Sequence, residues 1–125
     1  MKTPPAKRPV VLIIEDDDSV ARALARMLTR DFEVRRAKSL HEGIALIDRG
    51  DYSALLSDWD LGDGTGDVAL ARSAERHPDA RRVLYTARMP EDAPAGIADV
   101  ILQKPSEREA IVAALSPAVS RRPRT

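Results

Sequence analysis

Five short runs of apolar or β-branched residues recur along the chain: VVLII at 10–14, FEVRRA at 32–37, SALLS at 53–57, RVLYT at 82–86 and DVILQ at 99–103. Each has the length of a strand. Between them the apolar period becomes that of a helix. Val20, Leu24, Met27 and Leu28 share a face behind an N-cap at Asp17 or Asp18, and Leu40, Ile44 and Ile47 follow a Ser39 and Glu42 capping box and stop at Gly50. Val68, Leu70, Ala71 and Ala74 carry a third helix from near Asp67 to Pro78. Ile111, Val112 and Leu115 carry a last one, behind a second box at Ser106 and Glu109 and ahead of Pro117. Strand and helix thus take turns, which implies an α/β fold with a parallel sheet covered on both faces. Right-handed crossovers leave few topologies, and the doubly wound order 2-1-3-4-5 suits five strands best. One segment breaks the pattern. Residues 87–98 (ARMPEDAPAGIA) hold two prolines and a glycine with little apolar periodicity, so a fourth helix there should be shortened or irregular.

Composition narrows the class. A chain of 125 residues, 43% apolar and 32% charged, fits one globular domain. It contains no run of eighteen apolar residues, and Met1–Pro9 is polar and proline-rich, so neither a membrane span nor a secretory signal is expected and the cytoplasm is the expected compartment. The absence of cysteine removes disulfides, thiolate metal sites and cysteine nucleophiles, and His41 and His77 are too few for a multi-histidine zinc site. A net charge of zero conceals an uneven distribution. Lys2, Lys7 and Arg8 at one end and Arg121, Arg122 and Arg124 at the other leave 14 basic against 20 acidic residues between them. The body is therefore acidic, a poor surface for direct DNA binding and a fair one for cations or basic partners. Residues 1–9 and 117–125 hold five of the nine prolines and read as flexible basic tails around a domain at 10–116, with solubility a simpler role for them than contact with nucleic acid or lipid.

In a doubly wound sheet, functional groups gather outside the carboxyl ends of the strands, beside the switch point between strands one and three. Strand one ends in Glu15, Asp16, Asp17 and Asp18; strand three ends in Asp58, with Asp60 two residues on. Adjacent strands lie about 4.8 Å apart, so these carboxylates can converge, and a hard divalent cation such as Mg²⁺ relieves their repulsion. Strand four ends in Thr86 and strand five in Lys104, at the same edge. The lysine is an exception to local habit, since the chain uses Arg sixteen times and Lys four. A slim ammonium on a flexible stem can reach a phosphoryl oxygen or Asp58, where a planar guanidinium would sit differently.

These residues carry a resemblance. LIIEDDDSV at 12–20, LLSDWDLGDGTG at 55–66, VLYTAR at 83–88 and LQKPS at 102–106 resemble, in order, the acidic, phosphoacceptor, switch and lysine-proline motifs of bacterial response-regulator receiver domains of the CheY-like superfamily. The resemblance implies a flavodoxin-like fold and a signalling role in a two-component or phosphorelay system. Asp58 is then the phosphoacceptor, charged from the phosphohistidine of a sensor histidine kinase or phosphotransfer protein. Glu15 and Asp16 match the acidic pair that holds Mg²⁺ with Asp58, Asp60 the position that offers it a backbone carbonyl, Thr86 the switch hydroxyl and Lys104 the phosphoryl-binding cation. The Lys104-Pro105 bond is often cis in the family. The chain ends about ten residues past its last helix, so a stand-alone domain is expected, acting on an unidentified downstream protein by binding rather than as an enzyme beyond its own phosphorylation and dephosphorylation.

Other readings of the same residues are weaker. Asp58 and Asp60 form the D-x-D of haloacid-dehalogenase-type phosphatases, but that family places the motif on its first strand with further acids after its lysine. An EF-hand loop fails because Gly62 takes a ligand position and Ala69 stands where the terminal Glu belongs. An acidic turn without chemistry would leave Thr86 and Lys104 as coincidences. Trp59 and Tyr85 are more often packing than function, His41 and His77 lie away from the expected edge, and Gly62, Gly64 and Gly66 lack the spacing of a nucleotide loop. Three departures bear on output: Ile101 stands where the family often has an aromatic, the stretch from Thr86 to Lys104 is short, and Gly62 replaces a common proline. They motivate the alternative of a receiver-like interaction module that works without phosphorylation.

Overall fold

A computed structural model of the chain describes residues 8–88, 90, 91 and 93–116. Strands β1 (Val10–Ile14), β2 (Glu33–Ala37), β3 (Ala54–Ser57), β4 (Arg81–Thr86) and β5 (Val100–Gln103) alternate with helices α1 (Asp18–Leu28), α2 (Leu40–Arg49), α3 (Gly66–Arg76) and α4 (Arg108–Leu115). All four strand pairs are parallel, in the order β2-β1-β3-β4-β5. The expected architecture is therefore the observed one. Alternate residues of the inner strands divide the core into two layers. Val11 and Ile13 meet Leu24 and Leu28 of α1 and Ile111 and Leu115 of α4 on one face. Leu12 and Ile14 meet Ile47 of α2 and Ala69 and Leu70 of α3 on the other.

Local chemistry explains most of the helix ends. Asp17 caps α1 by accepting the Val20 N–H, and Ser39 caps α2 by accepting that of Glu42. Glu42 reaches back one residue further than a standard box, accepting from Lys38 N at 2.7 Å. Gly50, at φ +82°, closes α2 in the left-handed conformation that glycine adopts without strain.

The second capping box does not form. Helix α4 starts at Arg108, its N-cap is Glu107 with no side-chain cap bond, and the Ser106 hydroxyl donates instead to Gln103 O at 2.7 Å. Ser106 thus closes the turn after β5 rather than the helix. Between β4 and β5, Ala93 N donates to Pro90 O and Ile97 N to Pro94 O, and the described residues form no helix. The expected irregularity is complete there. Ile97 and Ala98 still pack on the sheet, while Ile101 of β5 is 37% exposed. Lys104-Pro105 is cis. Of the two expected tails, residues 1–7 and 117–125 lie outside the described residues; Pro9 O accepts from Glu33 N and Arg8 donates to Thr29 O.

Candidate functional site

Register brings the candidate side chains together. Ile14 pairs with Ser57 and Ser57 with Leu84, while Thr86 pairs with Gln103, so β1, β3, β4 and β5 end near one edge of the sheet. The residues that follow β1, β3 and β5 are Glu15, Asp58 and Lys104. Carboxylate oxygens of Glu15, Asp16 and Asp58 all lie within 4.8 Å of one another. The Lys104 ammonium stands 2.9 Å from Glu15 Oε1 and 3.2 Å from Asp58 Oδ2. Glu15 is fully buried, Asp58 nearly so, and Asp16 is exposed.

Electrostatics follows from that placement. Burial holds the Glu15 carboxyl above the ordinary carboxylate range, opposed by the hydrogen bond and charge of Lys104 and by the Asp17 N–H on Oε2. Burial works against the Lys104 ammonium too, but the Glu15 and Asp58 carboxylates outweigh it and hold its pKa above that of an ordinary lysine. Three carboxylates face one ammonium. Hard oxygen donors in negative excess, with Asp16 open to water, are a donor set that fits a divalent cation.

Asp58 Oδ1 accepts from Trp59 N at 2.7 Å, leaving Oδ2 toward Lys104. Thr86 is buried at the end of β4, and its hydroxyl donates to Arg88 O at 3.2 Å. Asp60 forms an isolated bridge with Thr65, and its carboxylate is not part of the acidic cluster. Gly66 is tightly enclosed: its N–H donates to Trp59 O at 2.7 Å, and a Cβ there would stand 2.1 Å from Asp58 O. Tyr85 lies in the core and accepts from Ser106 N, while His77 faces the opposite end of α2, against Ile47 O.

Two residues near the site escaped the sequence reading. Arg36 of β2 donates twice to Glu15 O, at 3.0 and 2.8 Å, and pairs with Asp18 at 2.8 Å, so it holds the acidic loop from the neighbouring strand. Asp63 accepts from two backbone N–H groups of α2. The hints in the sequence are an arginine pair at 35–36 between Val34 and Ala37 for the first, and an acid between two glycines for the second.

Comparison with known proteins matches residues 11–116 to the response regulator receiver domain. The acid tolerance regulatory protein ActR of Sinorhizobium medicae is 34% identical over 111 residues, covering 84% of this chain and 57% of its own length. A response regulator from Burkholderia pseudomallei, solved with a phosphorylated aspartic acid, a calcium ion and citrate, is 30% identical with a TM-score of 0.78, over 86% of this chain and 66% of that one. A CheY-like receiver domain from Methanospirillum hungatei, at 21% identity and a TM-score of 0.79, shares the fold over 86% of this chain and 90% of its own. The chain thus spans a little over half of ActR and just under two thirds of the Burkholderia protein. With the family match running from β1 to the end of α4 and taking in every strand end that carries the acids, Thr86 and Lys104, the chain belongs to the response regulator receiver domain family.

Proposed function

We propose that Asp58 accepts a phosphoryl group from the phosphohistidine of a sensor histidine kinase or phosphotransfer protein, and that the domain signals by changing its binding to a downstream protein. The observation that carries this reading is the Lys104 ammonium between Glu15 and Asp58, on the sheet edge where Asp16 and Thr86 also stand. Mg²⁺ would be held by Glu15, Asp16, Asp58 and the Asp60 backbone carbonyl. In the transfer an Asp58 carboxylate oxygen attacks phosphorus in line; the O–P bond forms as the donor's N–P bond breaks, and the imidazole departs with the bonding pair. Asp58 and the phosphoryl group are both anionic, and Lys104 offsets their repulsion. Mg²⁺ supplies further neutralising charge when bound.

Output begins at Thr86. Its hydroxyl now donates to the neutral Arg88 carbonyl, and a phosphoryl oxygen on Asp58 is a charged, stronger acceptor. Turning Thr86 toward it releases a hydrogen bond at the start of 87–98, a segment whose described residues make turns. This is signalling rather than turnover of a substrate, and neither DNA nor membrane contact by the domain itself is part of it. No helix among the described residues is long and apolar enough to cross a membrane.

A second reading, partner binding without phosphorylation, is favoured by exposed Ile101 and by the turns that replace a helix before it. Incubation with Mg²⁺ and acetyl phosphate separates the two. The first expects an acid-stable, base-labile adduct of one phosphoryl group that is absent from Asp58→Asn. No adduct from acetyl phosphate or a cognate kinase, or one that survives Asp58→Asn, favours the second.

A further inference from the structure

The N-terminus of α2 is capped from two directions. Every helix begins with backbone N–H groups that lack intrahelical acceptors. Ser39 Oγ takes the N–H of Glu42 at 3.0 Å. The N–H groups of Leu40 and His41 go instead to Asp63, at 2.8 Å to Oδ1 and 2.9 Å to Oδ2. Both oxygens of one carboxylate are committed to a helix that begins more than twenty residues earlier in the chain. The two hydrogen bonds lower the Asp63 pKa, His41 N–H first, which marks them as bonds to the charged form.

Asp63 sits at the tip of the turn that follows Asp58. Leu61 N donates to Gly64 O at 3.0 Å across the tip, and Asp60 bridges to Thr65 at the base. Gly62 at φ +81° and Gly64 at φ +156° let the turn close, and they also make it a segment with much backbone freedom to lose. Gly64 lies against Leu40, where a Cβ would stand 2.5 Å from Leu40 Cδ2. On its other side the turn approaches the acids: a Cβ on Gly62 would stand 3.7 Å from Asp16 Oδ2. The turn therefore lies between α2 and the acidic cluster, tied to the helix by Asp63.

We propose that Asp63 is a positioning residue for the metal site: by clamping the 60–64 turn onto the α2 N-terminus it holds the Asp60 carbonyl where a divalent ion uses it. The inference rests on the reading of Glu15, Asp16, Asp58 and Asp60 as the ion's ligands. A ligand held in place before binding spares the ion the cost of ordering it. Partners that orient metal ligands are typically worth about 10- to 100-fold in affinity.

The full chain is titrated with Mg²⁺, read by Trp59 fluorescence, and phosphorylated with acetyl phosphate over the same range. Asp63→Ala should raise the Mg²⁺ midpoint on the order of tenfold, while its initial phosphorylation rate at saturating Mg²⁺ returns to near that of the wild type. Asp63→Asn, which keeps one acceptor oxygen but turns an amide N–H toward the second donor, should fall between and serves if the alanine variant does not fold. Ser39→Ala removes a cap from the same helix without touching the turn, so it should lower thermal stability and leave the Mg²⁺ midpoint unchanged. A wild-type midpoint in the Asp63 variants, or an equal shift in Ser39→Ala, overturns the proposal. A wild-type protein that does not respond to Mg²⁺ overturns the metal-site reading beneath it.

Discussion

Replacing Gly66 by Ala tests whether the start of α3 and the candidate phosphoacceptor share one backbone contact. The glycine's φ lies outside the left-handed region, so alanine fits its conformation and the obstacle is space. A Cβ would stand 2.1 Å from Asp58 O and 2.9 Å from Ser57 Oγ, against an ordinary contact of 3.4–4 Å. Relief requires more than an ångström of backbone movement, and the atom that must move belongs to Asp58. Overpacking costs about 1–3 kcal/mol, and a clash with backbone belongs at the upper end. Alanine's helix propensity returns up to about 1 kcal/mol, leaving a net loss of about 2 kcal/mol. For a domain of this size that is a fall in Tm of roughly 8 °C. Gly43→Ala is the matched control. Its Cβ would crowd the buried Ile14 side chain, at 2.5 Å from Cδ1, 3.0 Å from Cγ1 and 3.3 Å from Cγ2, but no backbone atom, and the gain in helix propensity offsets part of the cost, so the loss of stability should be smaller than in Gly66→Ala. Urea unfolding of both variants gives the stabilities, and acetyl phosphate labelling should slow in Gly66→Ala alone. Equal stability of the two variants, or labelling of Gly66→Ala at the wild-type rate, refutes the reasoning.

Trp59 fluorescence should titrate with Mg²⁺ and lose that response in Asp16→Ala; an unchanged titration in the variant removes Asp16 from the metal site. Lys104→Met leaves buried Glu15 facing Asp58 without a cation, a loss of about 3 kcal/mol by analogy with broken buried pairs, reduced where Glu15 takes up a proton. Added Mg²⁺ should restore more stability to this variant than to the wild type, and equal gains in Tm would argue against a shared role for ion and lysine. The Asp48 carboxyl is held below the ordinary range by its hydrogen bonds from Arg72, at 2.9 and 2.8 Å, and by the charges of Arg72 and Arg76. A depressed folded pKa adds stability above the unfolded value and loses it as pH falls through the folded one, so the Tm difference between wild type and Asp48→Asn should hold at neutral pH and shrink only below about pH 4. A constant difference down to pH 2.5 would refute the assignment.

The first strand was legible because its residues leave little choice: VVLII at 10–14, four β-branched residues and a leucine, is β1 to the residue. The α2 boundaries were legible for a local reason, since Ser39, Glu42 and Gly50 act within four residues of their partners. Ser106 misled for the same reason in reverse. It has the spacing of a cap, but Gln103 O, three residues back, takes its hydroxyl. The site followed from topology, which sends every strand's carboxyl end to one edge. The contacts that tune it did not. Glu15 meets Lys104 across 89 residues, Arg36 meets the Glu15 carbonyl across 21, and Asp63 meets α2 across 22 and 23, and none of those separations has a period that a pattern could reveal.

The sheet is unevenly buried, and the site straddles the unevenness. Strands β1 and β3, which present the acids, are covered on both sides and almost fully buried, whereas β5, which presents Lys104, is an edge strand of four residues whose outer positions meet water. Opening free energies in a folded protein run from nearly zero at such edges up to the global value in the core. The amides of 100–103 should therefore exchange with deuterium well before those of 11–14 and 55–57. The cation half of the site lies on the part of the fold that opens most readily, and the anion half on the part that opens last. A phosphoryl group gripping Lys104 and Thr86 would then stitch the weaker edge to the stronger centre, and slowed exchange along β5 would record that stitching.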